Sequence, residues 1–231
     1  MQQQKPFLAG ILLLLTGLAA CDSTEIGDSK DVNQDKIYMD YHISCNEAEQ
    51  NVSLNLKYRF AGSMGTTLVL NEPSHVELDG KKLSVDSSEF AGAFYEAEKR
   101  ADGFAGKHTI GFTDNKGKKL ENNFNFKLPV LNSLPASADR NKDLVISLNS
   151  ANLNPSDNIE INSLNTDSSF HYQQTGSSIT IAAKDIQRQK GKTLTLQCQV
   201  YRNVPLQQTT SEGGSLKIAY RLKPVKIKLQ P

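Results

Sequence analysis

The feature that most constrains the fold of this chain is a strict alternation of apolar and polar residues in many short runs. The clearest run places Val52, Leu54, Leu56, Tyr58 and Phe60 on one face. Alternation with period two is typical of a β-strand that has one face in a core and the other in water. Residues that favour turns separate the runs. The sequence therefore predicts an all-β protein built from short antiparallel strands.

The first half of the chain, residues 37–128, carries enough such runs for one β-sandwich. Asp79-Gly80 lies between two of them and supplies the two positive-φ residues of a type I′ hairpin turn. The strands are predicted at Ile37 to Cys45, Val52 to Phe60, Thr66 to Leu70, Val76 to Leu78, Lys81 to Val85, Ala93 to Ala97, Lys107 to Thr113 and Lys118 to Lys127.

Residues 129–142 break the alternation and are interpreted as a linker. Pro129 and Pro135 remove backbone donors there, while Val130, Leu131 and Leu134 leave room for partial packing. Residues 143–231 repeat the strand pattern as a second sandwich. Its strands are predicted at Leu144 to Leu148, Ile159 to Ile161, Phe170 to Gln173, Ser178 to Ile181, Lys192 to Arg202, Ser215 to Leu222 and Val225 to Leu229, with one helical turn in Ala182 to Lys190.

The two halves share a short motif. Phe104 precedes Gly106-Lys107, and Ile186 precedes Gly191-Lys192, each just before a strand. This resembles the corner between the fifth and sixth strands of immunoglobulin-like sandwiches. Cys198 sits where that fold has its sixth-strand Cys, although the partner Cys and the usual Trp are missing. The resemblance implies two immunoglobulin-like antiparallel β-sandwich domains, and it implies no function.

The first 20 residues have the pattern of an export signal. Lys5 is followed by an apolar run from Phe7 to Ala20, about 14 residues, which is shorter than the roughly 20 needed to span a bilayer. The run ends in Leu18-Ala19-Ala20-Cys21, which resembles the lipobox of bacterial lipoproteins. The resemblance implies cleavage before Cys21 and acylation of Cys21. An ordinary secretory signal with a chance Cys is the alternative.

An acylated Cys21 would place the protein in a bacterial cell envelope with the membrane as its first partner. More than one acyl chain gives a stable anchor. Asp22 resembles the inner-membrane retention signal of enterobacterial-type sorting, which other lineages do not use, so inner and outer membrane both stay open. Residues 22–36 hold five acidic and two basic residues and few apolar ones. They are predicted to form a flexible tether with a contour of at most roughly 50 Å.

The charge of the chain argues against nucleic acid as a partner. The formal net charge is +1, and it falls to 0 once residues 1–20, with their single charge on Lys5, are removed. A neutral protein has no global field that would attract a polyanion.

Cys45 and Cys198 each end an apolar row in a different half of the chain. Because a free Cys behaves as a small buried hydrophobe, two separate buried thiols are predicted. A disulfide between them is the alternative in an oxidising compartment.

No motif predicts catalysis, a cofactor or a metal site. The four histidines are scattered; His42 is predicted to be solvated and His108 to be a hydrogen-bonded residue at the edge of the core. Asp139 to Asp143 alternates oxygen ligands as calcium loops do, but it lacks their Gly and distant Glu and contains Arg140 and Lys142, so an ordinary polar linker is preferred. The chain is interpreted as a non-enzyme.

The C-terminal end is basic along one face. Lys217, Arg221, Lys223, Lys226 and Lys228 alternate with apolar residues. They are interpreted as the polar face of a terminal strand, where lysines guard an edge against pairing. An anionic partner or a membrane surface is the alternative.

These observations favour a non-catalytic binding or structural component, such as an accessory subunit of an envelope complex. The alternative is a carbohydrate- or ligand-binding surface protein, for which exposed aromatic rings are needed because sugars stack on them. Tyr95, Tyr172 and Tyr201 are the candidates. An enzyme is the third hypothesis and would need polar groups that converge in a cleft.

Overall fold

The computed structural model describes residues 25–165 and 168–231, and their fold is all-β as predicted. The predicted signal peptide and Cys21 lie outside the described residues. The strands are β1 Ile26–Asp28, β2 Ile37–Asn46, β3 Asn51–Phe60, β4 Thr66–Val69, β5 His75–Leu78, β6 Lys81–Lys82, β7 Val85–Ser88, β8 Gly92–Arg100, β9 Gly106–Thr113, β10 Lys119–Phe126, β11 Ser137–Asp139, β12 Leu144–Ser147, β13 Asn158–Ser163, β14 His171–Thr175, β15 Ser178–Ile181, β16 Thr193–Val204, β17 Gly214–Arg221 and β18 Val225–Gln230. One α-helix, α1 Ala183–Gln187, and four 3₁₀ turns, Ser29–Asp31, Gln34–Lys36, Ala101–Gly103 and Ser150–Asn152, complete them. Within this part of the chain no helix is long and apolar enough to cross a membrane.

The first half has the strand pairing of an immunoglobulin-like sandwich. One sheet runs β2-β3-β8-β7, and the second runs β10-β9-β5-β6. The order β2-β3-β8-β7 matches the ABED sheet of constant-type immunoglobulin domains, and β10-β9-β5 matches their GFC sheet, which the two-residue strand β6 extends here. Alternate residues of β3 and β9 point inward, and Tyr58 packs against Phe112 with ring centroids 4.5 Å apart. The alternation seen in the sequence therefore places one row of each strand between two sheets.

The second half also has two sheets, but they are unequal in size. β12 pairs with β15, and β14-β13-β16-β17 forms the opposite sheet. α1 joins β15 to β16 and buries Ile186, as the helical-turn prediction requires.

A parallel pairing joins the two halves. β17 pairs with β2 over eight residue pairs, from Gly214 beside Met39 to Arg221 beside Asn46. One sheet therefore continues from β7 through β8, β3, β2, β17, β16 and β13 to β14. Buried apolar residues of both halves form one cluster. The division at residues 129–142 stays a prediction, since the halves share a sheet and a core.

The predicted tether is wrong for residues 25–36. β1 pairs in parallel with β4, and Ser29 and Gln34 are buried. Gln34 Nε2 donates to the carbonyl of Ser29 at 2.7 Å, and Ser29 Oγ donates to Asn115 Oδ1 at 2.8 Å. The composition argument counted apolar burial alone, whereas this segment is held by strand pairing and polar side-chain contacts. Residues 22–24 lie outside the described part.

The predicted linker packs in part. Leu131 bridges to Leu148, whereas Val130 is exposed. β11, formed from the end of the linker, pairs in parallel with one side of β18, and β16 pairs with the other side. The interpretation of the C-terminal lysines as guards of a free edge is therefore wrong for Lys228, which pairs with Ser137 on one side and Thr193 on the other. It is also wrong for Lys217, whose strand β17 lies between β2 and β16.

Turn chemistry was well predicted, and three short strands were missed. Asp79 and Gly80 have φ of 51° and 76°, as the type I′ turn requires. The strands β1, β7 and β11 have three or four residues each. Each of these runs contains no more than one large apolar residue, so none shows an alternation of apolar and polar residues.

Gly214→Ala should destabilise the protein by about 1–3 kcal/mol, because a Cβ there would lie 2.5 Å from the Met39 carbonyl oxygen and 2.6 Å from Leu206 Cδ1. The close approach occurs where β17 begins beside β2. Gly103→Ala is the matched control, since a Cβ at Gly103 meets nothing within 4 Å. Urea unfolding measures both variants, and equal midpoints would show that the strand contact at Gly214 is not tight.

Candidate functional site

The exposed face of the continuous sheet carries a shallow groove at the β2–β17 junction. Four outward-facing residues form a row across four strands, because Ser53 pairs with Ser44, Ser44 with Ala219 and Ala219 with Tyr201. Three of these side chains are small, so the row forms a depression in the sheet surface between rows of longer side chains. The Tyr201 ring, 38% exposed, stands at one end of the row. We call this surface the junction groove.

Polar side chains flank the row of small residues on both sides. They lie in two further rows of paired residues, which point to the same face because cross-strand partners share a face. One row is Asn55, His42, Lys217 and Asn203, and the other is Asn51, Asn46, Arg221 and Gln199.

Two adjoining hollows make up the groove. The larger has a volume of about 310 Å³ between the small residues and the row that contains His42 and Lys217. The smaller has a volume of about 230 Å³ and lies toward Gln199 and Arg221. Ser44, Tyr201 and Ala219 line both, so the Tyr201 ring is the wall that the two hollows share.

The side chains that flank the groove carry a modest excess of positive charge, because Lys217 lines the larger hollow and Arg221 the smaller. His42 Nε2 lies 2.9 Å from Asp40 Oδ1. Burial raises the pKa of Asp40, but the hydrogen bonds and charges around it, foremost those of His42, leave that pKa below its usual value. Arg221 Nε donates to Gln197 Oε1 at 3.2 Å, and Lys217 is exposed in the larger hollow.

Tyr201 is held in a position suited to stacking and hydrogen bonding. Its hydroxyl donates to Gln199 Oε1 at 2.9 Å, which orients the ring. Burial, and then the neighbouring Glu160 carboxylate, raise the pKa of Tyr201, so the phenol stays protonated at physiological pH. An aromatic face beside amides and hydroxyls can bind a ligand that has an apolar face and polar edges.

Three histidines of the described residues are held by hydrogen bonds to neighbouring side chains. His108 Nδ1 lies 2.8 Å from Asp79 Oδ2 and its ring stacks on Phe104, which confirms the edge-of-core prediction. His171 lies 2.7 Å from the Asn162 side-chain oxygen. His42 is exposed as predicted.

The other predicted candidates lie apart from the groove or inside the core. Cys45 and Cys198 are free and buried, which confirms the prediction of separate thiols. Tyr95 is buried, and its hydroxyl accepts a hydrogen bond from the Leu70 backbone N–H. The Tyr172 hydroxyl donates a hydrogen bond to Asp185 Oδ2 at 2.5 Å. Of the three tyrosines, Tyr201 lies in the groove.

The oxygen ligands of the alternative calcium loop diverge. Asp139 Oδ1 accepts from the Asn141 backbone N–H, while Asp143 Oδ1 accepts from the Ala183 N–H. Arg140 between them donates to the Gln189 and Gly191 carbonyls. In residues 25–165 and 168–231 no group of three or more His, Cys, Asp or Glu side chains could hold a metal ion.

Sequence reasoning did not predict the junction groove. Its two central strands carry Ser44 and Ala219, which are 175 residues apart in the chain and are brought together by parallel pairing. A Ser and an Ala on the polar faces of two strands are unremarkable in sequence. The exposed aromatic at Tyr201 was the one local signal of this site.

Comparisons with known proteins leave this chain without a family. No family model matches it, and no curated protein matches it either. Among solved structures, a chain of a cytokine receptor complex is 10% identical with a TM-score of 0.30, covering 80% of this chain and 94% of that one. The human OSCAR ligand-binding domain is 10% identical with a TM-score of 0.27 (82% and 100% covered). A 1.5-MDa bacterial ice-binding adhesin is 11% identical with a TM-score of 0.28 (86% and 66% covered). TM-scores this low carry no argument about ligand or partner.

Proposed function

We propose that this chain is a lipid-anchored, non-catalytic binding protein of a bacterial cell envelope and that the junction groove is its ligand surface. The observation that carries the proposal is the exposed Tyr201 ring beside a row of small residues with polar side chains on both sides. The lipobox-like Leu18-Ala19-Ala20-Cys21 supports the anchor on Cys21. Such an anchor would hold the protein in the envelope, where its partner would be met.

The chemistry of the groove favours a saccharide chain as the ligand. A pyranose ring has an apolar face that can stack on Tyr201 and hydroxyls that amides can bind. Asn55, Asn203 and Gln199 provide donors and acceptors on the two sides of the row. The four strands span about 14 Å between the first and the fourth, which suits an oligosaccharide better than a single sugar.

Tyr201→Ala should weaken saccharide binding at least about tenfold, since loss of the stacking face removes about 1.4 kcal/mol or more. A glycan array with the wild-type protein identifies the ligand, and isothermal titration calorimetry then compares the variants. Phe90→Ala is the matched control, because it removes an exposed ring outside the groove.

Equal affinities of the wild type and Tyr201→Ala would contradict the assignment of the groove. Failure of every glycan to bind, together with stoichiometric capture of one envelope protein by crosslinking in cells, would instead support the accessory-subunit hypothesis.

A further inference from the structure

Glu25, the first described residue, lies at one end of the first-half sandwich, the end that contains the β3–β4 turn. Thr67 anchors this point, since its backbone N–H and its Oγ1 both donate to the Glu25 carbonyl, at 2.9 and 2.7 Å. Glu25 follows Cys21 by four residues, so their Cα atoms can be at most about 14 Å apart. An acyl group on Cys21 would therefore hold this end of the protein close to the bilayer surface.

The register of the strands shows at which end of the sandwich Glu25 lies. β1 is parallel to β4 with Ile26 beside Thr67, so Glu25 is level with Thr66, at the end where β4 follows its turn from β3. β8 is antiparallel to β3, and its first residue, Gly92, adjoins Thr67: a Cβ on Gly92 would lie 2.2 Å from Thr67 Oγ1. The β7–β8 turn therefore lies at the same end.

Large apolar side chains are exposed at this end. Phe90, in the β7–β8 turn, is 92% exposed, the highest value among the exposed large hydrophobic residues of the described chain. Met64 in the β3–β4 turn and Ile26 in β1 are each 48% exposed. All three lie within three residues, along the chain or across the strand pairing, of Thr66, Thr67 or Gly92.

We propose that this end, defined by Ile26, Met64 and Phe90, rests on the membrane surface with the Phe90 side chain in the lipid interface. The proposal depends on the acylation of Cys21 in the proposed function. We assign the bilayer as the partner of this surface because an acylated Cys21 would be within about 14 Å of Glu25. This short connection would keep the three side chains close to lipid. Insertion of Phe90 would add apolar burial to the acyl anchor and would orient the sheet relative to the membrane.

Tryptophan fluorescence tests the proposal, because the chain contains no Trp and Phe90→Trp is a single reporter. The full lipidated protein is reconstituted in phosphatidylcholine vesicles with and without brominated acyl chains, which quench nearby indoles. We expect at least about a twofold loss of Phe90→Trp emission with brominated lipid.

Leu164→Trp is the control at the opposite end. β17 ends at Arg221 beside Asn46, and β18 continues in the same direction beyond it. The Leu164 N–H donates to the Thr195 carbonyl, and Thr195 pairs with Lys226 of β18, so Leu164 lies at this far end. Leu164 is also 45% exposed. Its Trp should keep its emission. Equal quenching at the two sites, or quenching at Leu164→Trp alone, would overturn the proposed orientation.

A Cys21→Ala variant separates this inference from the proposed anchor. If Cys21→Ala protein floats with vesicles as the wild type does, the anchor itself is wrong. If only the wild type floats and its Phe90→Trp form is not quenched, the anchor stands and the membrane-facing end is wrong.

Discussion

Replacement of Asp157 by Asn should lower the free energy of unfolding by about 3–5 kcal/mol. The Asp157 and Arg202 side chains are 0% and 4% exposed, and Arg202 Nη2 lies 2.6 Å from Asp157 Oδ2. Arg202 also donates to the Tyr220 hydroxyl and to the Asn152 carbonyl. Loss of the carboxylate would leave the guanidinium charge buried without its counterion. Urea unfolding at neutral pH measures the change.

Two further variants make this prediction specific. Asp102→Asn breaks the Arg100 pair, whose side chains are largely exposed and screened by water, and should cost far less stability than Asp157→Asn. Asp157→Asn combined with Arg202→Met removes both charges and should recover part of the stability lost in Asp157→Asn alone. A cost at Asp157 no larger than at Asp102 would show that the buried pair is not required.

The folded protein should lose stability on the order of 4 kcal/mol between about pH 9 and about pH 11. Burial raises the pKa of Cys198 to about 12, and burial followed by the charge of Glu47 raises the pKa of Cys45 to about 11, from 9.0. Burial also raises the pKa of Tyr41 and Tyr58 above the usual value. Unfolding releases these protons once the pH exceeds the unfolded values. The stabilisation is therefore complete below about pH 9 and is lost as the pH rises through the folded values.

Denaturant unfolding in reducing buffer at a series of pH values measures this slope. The combined Cys45→Ala and Cys198→Ala variant removes the two groups whose unfolded pKa is lowest, so its stability should change little up to about pH 9.5. A slope in that range equal to that of the wild type would mean that the thiols do not cause the loss.

The local sequence was sufficient to predict the strands and their inward faces. Val52 to Phe60 alternates in sequence, and Val52, Leu54, Leu56 and Tyr58 are buried in the structure. The Asp79-Gly80 turn was predicted for the same kind of reason, since positive φ at two adjacent residues restricts the residue types. The buried thiols followed from their places in apolar rows. In each case the decisive interactions lie within a few residues along the chain.

The sequence by itself determined that this protein is all-β, where its longer strands lie and which side chains enter the core, because period two and turn chemistry are local properties. Tertiary structure alone decided that β2 pairs with β17, that residues 25–36 pack instead of forming a tether, and that Tyr201 stands beside a groove. Those features depend on hydrogen bonds such as that of Thr210 Oγ1 to the Ile37 carbonyl, 173 residues apart. The sequence of a strand does not reveal which distant strand it pairs with, because each strand alternates in the same way whichever neighbour it has.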